Sequence, residues 1–184
     1  KARDSKGAFA IEGFKLFEEA VLSGLKVESV FFTEKAGILC SDLLEQIPEA
    51  NFYMVTDEVY AKMSDESSPQ GVLAVVKKPK EEPFTNETLK EGAFVILEDI
   101  QNPLNIGAIL RCCYSLGFEK VIFSGSCADI YSPKCARAAM GSLFKISEDG
   151  MVRGTISIGK YDGKWYWRSE VIDESQERDG TWPE

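Results

Sequence analysis

Apolar and polar positions follow two periods along residues 1–76. Short runs with a period of two, typical of strands, alternate with segments whose apolar residues recur every three or four positions, typical of helices. The predicted elements, starting with a strand and alternating with helices, are AFAIEG, FKLFEEAVLSG, VESVFFTE, SDLLEQI, NFYMVT, DEVYAKM and GVLAVV. Ser41 is the predicted cap of the second helix. The pattern indicates a compact α/β unit over residues 1–76.

A second α/β unit is predicted after a linker. The stretch KKPKEEPFTNETLKEG is charged and contains two prolines, as in a solvated linker, which we place at residues 77–91. The next run, AFVILEDI, is apolar almost throughout, as in a parallel strand covered on both faces. Helix NIGAILRCCYSLG, strand KVIFSG, helix PKCARAAMGS and strand LFKI follow. Residues 92–150 therefore predict a parallel sheet with ligands at the carboxyl ends of its strands.

Residues 151–184 form a tail with a different pattern. Apolar and polar residues alternate on both sides of Asp162-Gly163, which is a strong signal of a β-hairpin. One face of such a hairpin is usually buried, so we expect Trp165, Tyr166 and Trp167 to pack against the second unit. Stacking of these aromatic rings on nucleic acid bases is the alternative.

Composition narrows the class of protein. The chain has 184 residues, of which 44% are hydrophobic, enough to fill a core. It contains no apolar run of roughly 18 residues and no signal-peptide pattern, so we expect a cytoplasmic protein without a membrane span. The five cysteines include no CxxC pair, which favours free thiols over disulfides or zinc.

Charge and the absence of histidine restrict the chemistry. Without histidine the chain lacks the commonest general base and metal ligand, so we expect neither a hydrolytic triad nor a metal site. For the same reason we expect Cys112 and Cys113 to pack in the core rather than act as nucleophiles. The net charge is −9, which argues against a protein that coats itself with nucleic acid. Any such contact is therefore local.

The stretch NPLNIGAILR, residues 102–111, carries the candidate chemistry. Pro103 turns the chain at the strand end, and Asn105 is the predicted N-cap of the helix. The predicted apolar stripe of this helix consists of Ile106, Ile109, Leu110, Cys113 and Leu116. Arg111 lies about 160° from the centre of the stripe, on the side of Gly107, where a backbone or a ligand can approach closely. An ordinary exposed helix face and an anion-binding site both fit these residues.

The stretch SPKCARAAMGS, residues 132–142, predicts a second helix start. Ser132 suits the N-cap and Pro133 the first helical position. Lys134 and Arg137 are three residues apart and share one face of this helix. That face is either a solvated basic surface or a contact for phosphates.

Two stretches carry a resemblance to a known family. NPLNIGAILRCCYSLGFEKVIFSG and YSPKCARAAMGSLFKI closely resemble the SpoU/TrmH family of S-adenosylmethionine-dependent RNA 2′-O-ribose methyltransferases, part of the SPOUT superfamily. The first unit resembles the L30e-like RNA-binding domain that such enzymes carry. The resemblance covers about residues 1–146. It implies an α/β protein in which an L30e-like domain precedes an incomplete SPOUT-type parallel-sheet domain with a hairpin-like tail.

The resemblance also implies roles for individual residues. It implies methyl transfer from S-adenosylmethionine, as cofactor, to a ribose 2′-hydroxyl of rRNA or tRNA, without a metal. Arg111 is then the catalytic residue, and Asn105 organises the ribose and its phosphate in the same site. Lys134 and Arg137 are then RNA contacts. The resemblance further implies a homodimer, because in such enzymes the active site forms between two subunits.

The tail departs from the family pattern. Family members continue past GSLF with GNEG-, IPM- and SLNVS-type segments that bind S-adenosylmethionine, and residues 147–184 contain none of them. We therefore expect a cofactor pocket that is absent or unrecognisable in this chain, and weak or no binding of S-adenosylmethionine to it. A truncated or spliced chain, a degenerate family member and a tail that replaces the missing segments are the three explanations. The alternative function is a non-catalytic RNA-binding or dimerising protein derived from such an enzyme.

Overall fold

The computed structural model describes residues 7–78, 94–118, 120–124, 126–146, 151–153, 155–161 and 164–170. The described strands are β1 (Ala8–Glu12), β2 (Val27–Phe32), β3 (Asn51–Met54), β4 (Val72–Lys77), β5 (Phe94–Glu98), β6 (Lys120–Ser124), β7 (Met151–Arg153), β8 (Thr155–Tyr161) and β9 (Lys164–Glu170). The described helices are α1 (Phe14–Leu22), α2 (Glu34–Leu39), α3 (Ser41–Glu45), α4 (Asp57–Met63), α5 (Pro103–Ser115), α6 (Pro133–Ala139) and α7 (Ser142–Ile146).

The N-terminal sheet has the strand order β1-β4-β2-β3. Strand β4 is antiparallel to both of its neighbours, whereas β2 and β3 are parallel. Alternate residues of β4, namely Val72, Ala74 and Val76, are fully buried, as the period of two predicts. The four strands predicted for residues 1–76 are confirmed.

Two details of the N-terminal helices differ from the prediction. Helix α2 was not predicted, and it begins because the Thr33 side chain accepts a hydrogen bond from the Ala36 amide at 3.4 Å. Ser41 does not cap the next helix: Cys40 precedes α3, and Ser41 is its first residue. The short turn at Cys40 joins two helices where one was expected.

The parallel sheet has the order β5-β6-β7, with both pairs parallel. This confirms the predicted α/β class and the parallel arrangement. The predicted strand LFKI is wrong, because these residues belong to helix α7, and the third strand is β7. Met140 and Gly141 have φ angles of 52° and 83° and turn the chain sharply after α6, so the apolar run continues as a short helix. A buried run of four residues has no period that separates a strand from a helix.

The tail contains the predicted hairpin. Strands β8 and β9 pair antiparallel, and the last pair, Tyr161 with Lys164, flanks Asp162-Gly163. Those two turn residues lie outside the described residues, as do the side chains of Trp165, Tyr166 and Trp167 and most of the predicted linker. The expected packing of the aromatic rings therefore stays a prediction.

One hydrophobic cluster runs through both units. It joins residues of the N-terminal sheet, such as Phe9 and Val76, to residues of α5 and α7, such as Leu110 and Leu143. Helices α5 and α6 pack against each other, and α6 also contacts β1. Within the described ranges, no helix combines the length and the apolar character that a bilayer span requires.

Candidate functional site

Helix α5 starts directly after the carboxyl end of β5, and Asn102 is its cap. The Asn102 side chain accepts a hydrogen bond from the Leu104 amide at 2.9 Å, and Pro103 takes the first helical position. The prediction that Asn105 caps the helix is wrong, because the helix begins at Pro103 and already includes Asn105. Asn105 is exposed, and in the described part of the chain its side chain makes no hydrogen bond. Its amide is therefore available to a ligand.

The two sides of α5 differ in how far their side chains are buried. Ile106, Leu110 and Cys113 are buried as predicted, and Ile109 is partly buried. Leu116 is 74% exposed, which contradicts its place in the predicted stripe. It lies just past the last helical residue, so the helical spacing does not apply to it. This leaves Leu104, Tyr114 and Leu116 as large apolar side chains on the solvent side of α5, each at least 47% exposed.

Arg111 lies on this solvent side of α5. Its side chain is exposed, as predicted, and none of the ion pairs found among the described residues involves it. Six residues separate Arg111 from Asn105, which corresponds to about 9 Å along the helix axis and about 120° around it. The two polar groups therefore leave α5 in different directions.

Gly107 allows helix α6, rather than a ligand, to come close to α5. A Cβ atom at this position would lie 2.6 Å from Ala138 Cβ, 2.6 Å from the Cys135 carbonyl oxygen and 2.9 Å from the Ala139 amide nitrogen. Any side chain would push α6 away from α5. The expected space for a phosphate beneath Arg111 is thus filled by α6, and Arg111 stands at the edge of this helix pair.

The loops that follow β5 and β6 are joined to each other. Asp99 adopts a φ of 51°, and its Oδ1 accepts a hydrogen bond from the Ser126 amide at 2.6 Å. The Ala128 amide donates to the Ile100 carbonyl oxygen at 2.9 Å, and the Cys127 thiol to the Leu97 carbonyl oxygen at 3.3 Å. These bonds hold the starts of α5 and α6 at the same edge of the parallel sheet, as the topology predicts.

Helix α6 brings the two predicted basic residues to different surroundings. Ser132 caps the helix by accepting a hydrogen bond from the Cys135 amide at 3.3 Å, as predicted. Lys134 is exposed and, within the described ranges, unpaired. Arg137 is only 30% exposed, and its Nε lies 2.6 Å from Oε1 of Glu66. No local sequence pattern indicates this pair, because Glu66 belongs to the other unit.

The contact between Glu66 and Arg137 is electrostatic. The distance is short, yet the angles do not meet hydrogen-bond geometry, and Oε1 of Glu66 and Nη1 of Arg137 are buried without a hydrogen bond among the described atoms. Because opposite charges attract at any angle, the short distance makes this contact an ion pair. The guanidinium of Arg137 is thus engaged, whereas the Lys134 ammonium has no partner among the residues that the structure describes.

The cysteines do not form a reactive centre in the described residues. All five are free thiols, as predicted. Burial raises the pKa of Cys113, and it raises the pKa of Cys135 to about 12, so both stay protonated at neutral pH. Cys112 was expected in the core but is exposed, because it follows Arg111 on the solvent side of α5. Within these ranges no group of three acidic or cysteine side chains has the arrangement of a metal site.

Family models match both halves of the chain. Residues 1–74 match the MRM3-like substrate binding domain, and residues 92–153 match the SpoU rRNA Methylase family. The second match includes α5, α6 and β7.

Individual proteins show the same likeness. A mitochondrial rRNA methyltransferase 3 from Xenopus tropicalis is 31% identical over 150 residues, which cover 79% of this chain and 36% of that protein. A 23S rRNA (guanosine(2553)-2′-O)-methyltransferase from Bacillus subtilis is 29% identical, with 79% of this chain and 55% of that protein covered. The AdoMet-bound rRNA methyltransferase from Sinorhizobium meliloti superimposes with a TM-score of 0.70 at 25% identity, covering 82% and 56% of the two chains. The chain thus spans about a third to just over half of these relatives.

Proposed function

The chain belongs to the SpoU family of RNA methyltransferases, and on that premise we propose that it acts in methyl transfer from S-adenosylmethionine to a ribose 2′-hydroxyl of rRNA. One observation carries the proposal: the guanidinium of Arg111 is exposed and free of ion pairs within the described residues, on the helix that follows the first parallel strand. The free amide of Asn105 lies on the same helix, closer to the sheet edge.

Arg111 suits a role in charge stabilisation. An arginine side chain offers only hydrogen-bond donors, so it does not act as an ordinary base. It can hold a phosphate beside the reacting ribose and stabilise the oxygen as the hydroxyl loses its proton. A methyl group on a sulfonium is already activated, so alignment of the ribose oxygen is the main remaining requirement. This chemistry agrees with a chain that lacks histidine.

Asn105 and Lys134 extend the same surface. The starts of α5 and α6 lie at one edge of the parallel sheet, and both residues are exposed there. Asn105 offers an amide for hydrogen bonds to ribose or phosphate, and Lys134 offers a point charge for the RNA backbone. Arg137 is a predicted RNA contact as well, but its Nε lies 2.6 Å from Oε1 of Glu66, so we assign the contact with the RNA backbone to Lys134.

A homodimer is the proposed form of the active site. Leu104 and Tyr114 are large, exposed apolar side chains on the helix that carries Arg111, and Leu116, just past the end of this helix, is exposed as well. Exposed apolar side chains are typical of a subunit contact. A second copy seated there would exclude water from Arg111 and strengthen its electrostatic effect. Shielding by the partner would therefore assist the reaction.

The polar groups at the carboxyl ends of β5 and β6 bind to each other. The segments that follow these strands hydrogen-bond to each other through Asp99, Ile100 and Leu97, which leaves these polar groups satisfied. This observation favours, as the second candidate, a non-catalytic protein that binds RNA and dimerises.

One experiment separates the two candidates. Unmodified 23S rRNA transcript is incubated with the full chain and tritiated S-adenosylmethionine, and RNA binding is measured in parallel. Methyl transfer by the wild type, with its loss in Arg111→Ala, only partial recovery in Arg111→Lys and RNA affinity changed by less than about tenfold, supports the catalytic candidate. RNA binding without methyl transfer by the wild type supports the non-catalytic candidate. Equal transfer by the wild type and Arg111→Ala refutes the role of Arg111.

A further inference from the structure

We propose that the N-terminal sheet is fixed on helices α6 and α7 by a docking interface, and that this interface positions RNA relative to Arg111. The docking interface consists of Phe9, Glu19 and Glu66 on one side and Arg137, Gly141 and Lys145 on the other. Its role toward Arg111 rests on the proposed function. The packing of the N-terminal unit on α6 and α7 follows from the contacts in the structure alone.

The centre of the docking interface is apolar. Phe9 of β1 is 2% exposed, although it lies near the end of the chain. Its ring centroid is 4.8 Å from that of Tyr131, which precedes α6 in the sequence, and 6.4 Å from that of Phe144, which follows it. Separation of the two units would expose these three aromatic rings to water, which opposes free motion of one unit against the other.

The first ionic contact is held rigidly from the N-terminal side. Glu66 lies between α4 and β4, and its backbone amide donates to the Ser64 hydroxyl at 3.0 Å. That hydroxyl donates in turn to the carboxylate of Glu12 on β1, which also accepts from the Tyr60 hydroxyl at 3.2 Å. The backbone of Glu66 is therefore held in place beside Arg137, which lowers the entropy cost of forming the pair.

The second ionic contact reaches the helix that carries Arg111. Lys145 Nζ lies 2.9 Å from Oε2 of Glu19 and 5.2 Å from the ring centroid of Tyr114 on α5. The hydrogen bond with Lys145 lowers the pKa of Glu19, which agrees with a pair formed at neutral pH. Through Lys145, helix α1 is thus linked to a residue one turn beyond Arg111.

Gly141 allows this contact to form. A Cβ atom at Gly141 would lie 2.8 Å from Cγ and 2.9 Å from Cβ of Glu19, so a side chain at this position would displace α1. Its φ of 83° disfavours other residues as well. The docking interface therefore combines an apolar centre, two ion pairs and one close approach. Such an interface specifies one relative orientation of the two units.

A fixed orientation of the two units determines which ribose reaches Arg111. RNA held by the N-terminal unit is presented to Arg111 at one distance, so the ribose selected is the one that this distance reaches. Arg137 and Glu66 are then positioning residues. If Arg137 acted only as an RNA ligand, exchanging the charges of the pair would not restore its function, whereas docking requires only that the two charges be opposite.

Three variants of the full chain test this difference. Arg137→Glu breaks the pair, and Glu66→Arg combined with Arg137→Glu restores it with the charges exchanged. Lys134→Glu is the matched control, because it makes the same charge change on the exposed face of α6. Hydrogen exchange of residues 8–12 and small-angle scattering report docking. Tritium transfer to unmodified 23S rRNA transcript, resolved into kcat and KM, reports positioning.

Docking predicts faster exchange of residues 8–12 and a larger radius of gyration in Arg137→Glu, with a fall in kcat of about 100-fold. The double variant should regain wild-type exchange and most of kcat, and Lys134→Glu should raise KM without undocking. Unchanged exchange in Arg137→Glu, or no recovery in the double variant, overturns the proposal. If the wild type transfers no methyl group, the proposed function fails, and exchange and scattering alone decide the docking.

Discussion

Substitution of Gly107 by alanine tests the helix pair on which the site is built. The new methyl group would lie 2.6 Å from the Cys135 carbonyl oxygen, whereas ordinary contact begins at 3.4 Å. The two helices would have to separate by about 0.8 Å, and two of the three nearest atoms belong to the backbone of α6, which cannot rotate away. Overpacking of this kind costs about 1–3 kcal/mol, and a backbone obstacle places the cost near the upper limit.

The intrinsic preference of helices for alanine offsets part of this cost. Alanine is favoured over glycine inside a helix by about 1 kcal/mol. The net loss in the free energy of unfolding is therefore about 2 kcal/mol. For a chain of this length, that corresponds to a fall in Tm of roughly 4–8 °C. Urea and thermal unfolding followed by circular dichroism measure both quantities.

Gly37 provides the matched control. It also lies in a helix, and a methyl group there would be 2.8 Å from two ring carbons of Phe32. This obstacle is a partly exposed side chain that can turn aside, so the gain in helix preference roughly balances the clash and Gly37→Ala should be near neutral. Equal stability of Gly107→Ala and the wild type, or a larger loss in Gly37→Ala, would refute the close packing of α5 on α6.

Two further predictions concern pH and thiol reactivity. Because Lys145 lowers the pKa of Glu19, this pair stabilises the fold above the ordinary carboxyl value of 4.5, and the contribution disappears as the pH falls through the lowered pKa. Lys145→Gln should therefore be less stable than the wild type at pH 7 and equal to it near pH 2 in urea unfolding; a constant difference across this range contradicts the pair. Exposed Cys112 should react with a thiol reagent much faster than Cys135, whose pKa burial raises to about 12, and equal rates would show that Cys135 is accessible.

Local patterns predicted most of the elements that surround the site. The apolar run before Asn102 predicted β5, and Ser132-Pro133 predicted the start of α6, because strand burial and helix capping depend on neighbouring residues. The pattern predicts Asn105 as the cap, whereas the structure has Asn102. Pro103 at the first helical position indicates this earlier start. The resemblance to the SpoU family is confirmed by both family matches.

Features that depend on distant residues were not predictable from local patterns. Gly107 signalled a close approach, but its partner is α6, which follows more than twenty residues later in the sequence. Leu116 fits the apolar stripe by spacing and is exposed because the helix ends just before it. Residues 143–146 have the composition of a strand, and the turn at Met140 and Gly141 places them in a helix. The Glu66–Arg137 pair joins two units whose docking has no sequence signature.

The most direct test of the central claim is to identify the methylated atom. Unmodified 23S rRNA transcript is treated with S-adenosylmethionine and either the wild-type chain or Arg111→Ala, digested to nucleosides and analysed by mass spectrometry. The proposed methyl transfer predicts a 2′-O-methylated nucleoside with the wild type and its loss in Arg111→Ala, while both proteins still bind the RNA. A base-methylated product, or the same amount of 2′-O-methyl nucleoside from Arg111→Ala, would contradict it.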